Sequence, residues 1–140
     1  MIILDTNVLS ALMQHQPDAQ VVTWLDVQPA ESIWISSVTL FEARYGLALL
    51  PASRRQDLLR ERLDQILQYD LENRVLMFDT QAANEAARLA AQRKARGRTV
   101  DMRDTFIAGI VLARRATLAT RKTRHFADLS VAVVNPWADA

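Results

Sequence analysis

The chain has 140 residues, 50% of them hydrophobic and 24% charged, with a formal net charge of +1. That is long enough to bury a core within one domain and too apolar for a disordered polymer. With no cysteine it can hold no disulfide framework, no cysteine nucleophile and no zinc–thiolate site. No apolar run reaches the length of a membrane span, and the opening residues lack the charged and apolar regions of a signal peptide, so the cytoplasm is the expected location.

Met1–Leu4 is a continuous apolar run, the pattern of a strand buried on both faces in a parallel sheet covered by helices. It leads directly into Asp5, Thr6 and Asn7, placed where open α/β sheets bind ligands, beyond the strand tips. All three are also good N-caps for the helix expected over Val8–Met13, so capping and function stand side by side. A second helix is expected over Asp18–Val27, started by Pro17-Asp18 and stopped before Pro29. Ile33-Trp34-Ile35, closed by Ser36-Ser37, reads as the second strand.

Thr39–Leu50 carries Phe41, Tyr45, Ala48 and Leu49 at helical spacing, giving one apolar face, until Pro51-Ala52-Ser53 breaks it. A longer helix over Arg54–Leu71 places Leu59, Leu63, Ile66 and Leu67 on one side. Val75–Phe78 is the third strand. Asp79 caps an alanine-rich helix over Gln81–Ala95, which Gly97 stops and whose alanines permit close approach of a neighbour. Asp101 and Asp104 open the next helix, with Ile107, Ile110 and Val111 in period. Ala116–Thr120 and Val131–Val134 supply the fourth and fifth strands. This alternation predicts a three-layer α/β/α sandwich around a mostly parallel, four- or five-stranded sheet, one domain over residues 1–140.

Such a fold brings Asp5, Glu42 and Asp104 to one edge. Carboxylates are hard ligands suited to Mg²⁺ or Mn²⁺, and crowded carboxylates repel one another unless a cation accompanies them. A metal held there supplies the chemistry of phosphodiester hydrolysis. Capping accounts for the same residues singly: Thr39 with Glu42 matches a capping box, and Asp101 with Asp104 suits a helix N-terminus. A second constellation is basic. Residues 93–124 hold Arg93, Lys94, Arg96, Arg98, Arg103, Arg114, Arg115, Arg121, Lys122 and Arg124 against only Asp101 and Asp104. A stripe of that kind beside a metal site suits a phosphodiester polyanion.

Asp5-Thr6-Asn7 after an N-terminal strand, Glu42 followed by Arg44-Tyr45-Gly46, Asp104 followed by Ile107-Ala108, Thr120-Arg121 leading to His125-Phe126, and the ending Val134-Asn135-Pro136-Trp137 together resemble a PIN-domain ribonuclease. The resemblance spans essentially the full chain and is strongest to the VapC toxins of toxin–antitoxin pairs, in their FitB-like branch. It implies that Asp5, Glu42 and Asp104 hold Mg²⁺ or Mn²⁺, that Thr6, Asn7 and Thr120 shape the site, and that Arg121, Lys122, Arg124, Arg98 and Arg103 meet RNA. It further implies cleavage of tRNA or ribosomal RNA, a homodimer, and silencing by a DNA-binding antitoxin of the VapB or FitA type.

Thr120-Arg121-Lys122 departs from the family's usual Thr-Arg-Asn. Lys122 either competes with a metal for the carboxylates or turns outward to RNA phosphate. His125 is expected to pack or to touch RNA. Two other functions stay open at this point: a catalytically degenerate PIN domain that only binds RNA or an antitoxin, and, ranked below it, a phosphatase whose second Asp would stand where Asn7 does.

Overall fold

The computed structural model describes residues 1–138, so the last two positions of the expected domain lie outside the described residues. The strands are β1 (Ile2–Leu4), β2 (Ile33–Ser36), β3 (Val75–Leu76), β4 (Thr117–Ala119) and β5 (Val133–Val134). The helices are α1 (Thr6–Met13), α2 (Ala19–Asp26), α3 (Ser37–Leu49), α4 (Arg54–Gln65), α5 (Thr80–Ala95) and α6 (Met102–Arg114). The strands form one parallel sheet in the order β3-β2-β1-β4-β5.

Alternation along β1 explains its unbroken apolar run. Leu4 packs with Val8, Leu9, Ile35, Leu63 and Ile66 on one side of the sheet, while Ile3 packs with Leu89, Ile107, Leu118 and Phe126 on the other. The two cores make the three layers expected from the sequence. On the second side α5 and α6 approach so closely that a methyl on Gly109 would stand 2.5 Å from the Ala82 carbonyl oxygen and 2.7 Å from Ala86 Cβ. This is the contact that the alanines of α5 make possible.

Several boundaries differ from the expectation; the first helix starts at Thr6 and not Val8, and the fourth strand runs over Thr117–Ala119 and not Ala116–Thr120. The third strand ends at Leu76, short of Phe78. The fifth is confined to Val133–Val134. Helix α4 gives way at Ile66–Asp70 to one wider, π-type turn. The capping box is displaced: Ser36, not Thr39, caps α3, its Oγ accepting from the Thr39 amide at 3.0 Å. The chain turns helical at Ser37, directly off β2, which moves Glu42 from the first turn into the second and leaves the Thr39 hydroxyl for another partner.

The apolar face expected on α3 exists but faces outward. Phe41, Tyr45 and Leu49 are 55%, 49% and 67% exposed, whereas Thr39, Ala43 and Leu47 are the buried positions. The Phe41 and Tyr45 rings stack at 5.7 Å.

From β1 the chain moves to β2 on one side and later to β4 on the other. A parallel sheet opens a crevice at such a switch point, beside the carboxyl ends of the strands. Asp5 follows β1 and Thr120 follows β4, so both stand at that crevice.

Candidate active site

Asp5 is fully buried and does two things at once. It is the N-cap of α1, its Oδ1 accepting from the Thr6 amide at 2.8 Å, and its Oδ2 accepts from Thr120 Oγ1 at 2.7 Å and Asn7 Nδ2 at 3.0 Å. Capping and site-building are therefore one arrangement. Burial pushes the Asp5 carboxyl above its ordinary value; the Thr120 bond and the positive charge of Lys122 oppose that push without cancelling it.

The polar residues around Asp5 form a connected chain. Asn7 Oδ1 accepts from the Arg121 amide at 3.0 Å, fixing the residue after Thr120, and Thr120 Oγ1 accepts from the Lys122 amide at 3.0 Å. Thr6 Oγ1 donates to Glu42 Oε1 at 2.7 Å and lies 3.1 Å from Thr39 Oγ1. Because the Thr6 proton is committed to Glu42, Thr39 is the donor of the second contact. The hydroxyl that a capping box would have used instead ties α3 to α1.

Asp104, buried in the first turn of α6, is held from the other side. Lys122 Nζ donates to its Oδ1 at 2.8 Å, and His125 Nδ1 lies 2.9 Å from its Oδ2. Of the two orientations open to Lys122, the structure shows the inward one. Burial works against the Lys122 charge, but the bond to Asp104 and the negative charges of Asp5, Asp104 and Glu42 together outweigh it and hold the Lys122 pKa above its ordinary value. His125, expected to pack or touch RNA, is a partner of Asp104. Among the described residues no three Asp, Glu or His side chains are spaced to hold a metal as they stand. The cationic position among the acids is taken by Lys122.

The arginines divide. Arg103 is paired with Asp101 at 3.3 Å and lies 3.7 Å from Glu42 Oε2. Arg98 pairs with Asp128 at 3.1 Å and donates to the Arg124 carbonyl. Arg121 lays its guanidinium 4.7 Å from the Trp137 ring centre, and Arg124 is exposed. The basic stripe is thus partly internal bracing. Arg93, counted from sequence in the stripe suited to a polyanion, is instead 3% exposed and forks onto Asp128. A lone acid, Asp128, following a run of cations was the one available signal.

This constellation at the switch point of a parallel α/β sheet is that of a PIN domain. The PIN-domain family pattern matches residues 2–131, and the chain belongs to that family, in the branch that holds the VapC and FitB toxins. It is 44% identical to the plasmid stability protein StbB of Pseudomonas syringae pv. tomato, over 98% of this chain and 99% of that one. It is 39% identical to the VapC ribonuclease Y4jK of Sinorhizobium fredii over the whole of both chains, and 38% identical to toxin FitB of Neisseria gonorrhoeae over 99% and 100%. Among solved structures it resembles FitAcB of Neisseria gonorrhoeae with a TM-score of 0.88 at 38% identity, covering 99% of each chain. FitAB bound to an IR36 DNA fragment matches with a TM-score of 0.87 at 37% identity, covering 98% of this chain and 96% of that one.

Proposed function

We propose that this chain is a Mg²⁺- or Mn²⁺-dependent ribonuclease toxin that hydrolyses phosphodiester bonds in tRNA or ribosomal RNA and is silenced by a cognate antitoxin in the cytoplasm. The observation that carries the reading is the buried Asp5, bound by Thr120 and Asn7 at the strand edge, with Asp104 on the Lys122 ammonium and Glu42 held by Thr6 beside it. The donors fit a divalent cation by chemistry: they are hard carboxylate oxygens, and the group now among them is itself a cation. Asp5, Asp104 and Glu42 would hold the ion once Lys122 withdraws along its flexible stem. Held there, a divalent ion would supply Lewis-acid polarisation of a phosphoryl oxygen and a hydroxide near neutral pH.

The remaining steps belong to the chain itself. Asn7 and Thr120 keep Asp5 oriented, and Thr6 orients Glu42. Arg124, and Arg121 braced on Trp137, offer guanidinium groups to the substrate backbone beside the carboxylates. Support for the partner comes from the FitAB and VapBC complexes among the solved relatives, three of them bound to DNA. The exposed Phe41–Tyr45–Leu49 stripe supports a homodimer, since an apolar helix face of that kind is suited to a second copy.

Lys122 favours one second reading, a PIN domain that binds RNA or an antitoxin without cutting. Cleavage of total tRNA and of ribosomal RNA by wild type and Asp5→Asn, with Mn²⁺ and with chelator, separates the two. The ribonuclease reading requires cutting by wild type with Mn²⁺ only, and none by Asp5→Asn. Cutting that survives chelation or Asp5→Asn would remove the metal site from the mechanism, and absence of cutting by wild type would leave the binding module.

A further inference from the structure

We infer that Arg93, far from serving the RNA-facing surface, is the positioning residue that sets both partners of Asp104. Its guanidinium is 3% exposed and bonds in three directions. Nη1 donates to Thr105 Oγ1 at 2.9 Å, Nη2 donates to the His125 carbonyl at 2.9 Å, and Nε and Nη2 fork onto Asp128 at 2.9 and 3.0 Å. Thr105 is the residue after Asp104 on α6, and His125 is the residue whose ring meets Asp104 Oδ2. Arg93 therefore grips the side chain of the residue next to Asp104 on α6 and the backbone of the residue that faces Asp104.

The consequence follows from chain connectivity. Lys122 and His125 both belong to the stretch that leaves β4, enters a short 3₁₀ turn at Thr123–Phe126 and reaches Asp128. Besides the two bonds to Asp104 itself, Arg93, standing near the end of α5, joins that stretch to α6 by a separate set of side-chain bonds. If the turn shifted, His125 and Lys122 would leave Asp104 together. A planar fork with several fixed donors can bridge three acceptors in different directions; a lysine, a single point charge, cannot. The ion pair also stabilises the fold, so the positioning role has to be read from the site and not from stability alone.

The catalytic meaning rests on the ribonuclease reading; the geometry does not. The test compares wild type with Arg93→Lys, Asp128→Asn, Thr105→Val and Thr105→Ser. The chain has only two histidines, so the ring nitrogens of His125 are separable by NMR from those of His15 in metal-free protein. Arg93→Lys, Asp128→Asn and Thr105→Val should move the His125 ring signals and leave His15 unmoved, and Mn²⁺ affinity by calorimetry should fall about tenfold or more. Thr105→Ser, which keeps the hydroxyl, should behave as wild type. Thr105→Val deletes one of the four bonds and keeps the ion pair, so it decides the matter should Arg93→Lys fail to fold. Folded variants with wild-type His125 signals and wild-type Mn²⁺ affinity would overturn the inference. A wild type that neither binds Mn²⁺ nor cuts RNA sinks the ribonuclease reading instead, and the His125 signals then decide the positioning role by themselves.

Discussion

The Lys122 ammonium stands 2.8 Å from Asp104 Oδ1 and is felt also by Asp5 and Glu42. A like-charged cluster gains stability from any cation among its members, whether that cation is tethered to the chain or dissolved. Here it is tethered, so a dissolved one has to displace it.

Removing the tethered charge should therefore tighten metal binding. Lys122→Met is expected to raise Mn²⁺ affinity about tenfold, the factor expected if the ammonium occupies its position roughly nine-tenths of the time. Calorimetric titration of the two proteins side by side measures this. Equal or weaker binding by the variant would show that Lys122 and the metal do not compete.

Acid should loosen the segment beyond β4. The hydrogen bonds from Arg93, ahead of its charge and that of Arg98, hold the Asp128 carboxyl below its ordinary value. With the folded value below the unfolded one of about 3.9, the stabilisation is fully present above that pH and is lost as the pH falls through the folded value. Thermal melts from pH 6 down to pH 2 should therefore fall more steeply for wild type than for Asp128→Asn. Parallel curves would mean that Asp128 contributes nothing to acid unfolding.

The close packing of α5 on α6 should tolerate no added carbon. Gly109→Ala has to push the Ala82 carbonyl and Ala86 aside, and overpacking of this kind costs about 1–3 kcal/mol. A thermal midpoint several degrees below wild type is expected, and Asp104, on the same helix, should lose metal affinity with it. An unchanged midpoint would mean that the two helices separate more easily than their contacts suggest.

The sheet and its edge were legible because buried parallel strands are written as uninterrupted apolar runs, and Ile2–Leu4 and Ile33–Ile35 are such runs. Asp5, Glu42 and Asp104 could be placed for the same reason, since each is anchored to an element that composition reveals. Where helix α3 begins was harder. Ser36 and Thr39 are both good caps, and only the exit angle from β2 selects the first. The outward direction of Phe41, Tyr45 and Leu49 was equally closed to periodicity, which defines a face without saying what it meets. Least legible were the contacts of long side chains across the fold. Lys122 on Asp104 spans 18 positions, and the sequence left its inward and outward directions open; Arg93 on Asp128 spans 35, and a composition that counts Arg93 toward a surface stripe hides that it points inward.

The two halves of the site are secured differently. Asp5 follows a strand paired on both sides, and its own amide donates to the Ala119 carbonyl at 2.9 Å. Lys122 and His125 sit on a short turn that depends on side-chain bonds. Amide hydrogens around Leu4 and Asp5 should accordingly exchange with solvent only when the whole sheet comes apart, while those of residues 122–128 should exchange through smaller, more frequent openings. The strand side would then keep its shape in nearly every molecule at any instant, and the turn side would decide how many of those molecules have an intact site.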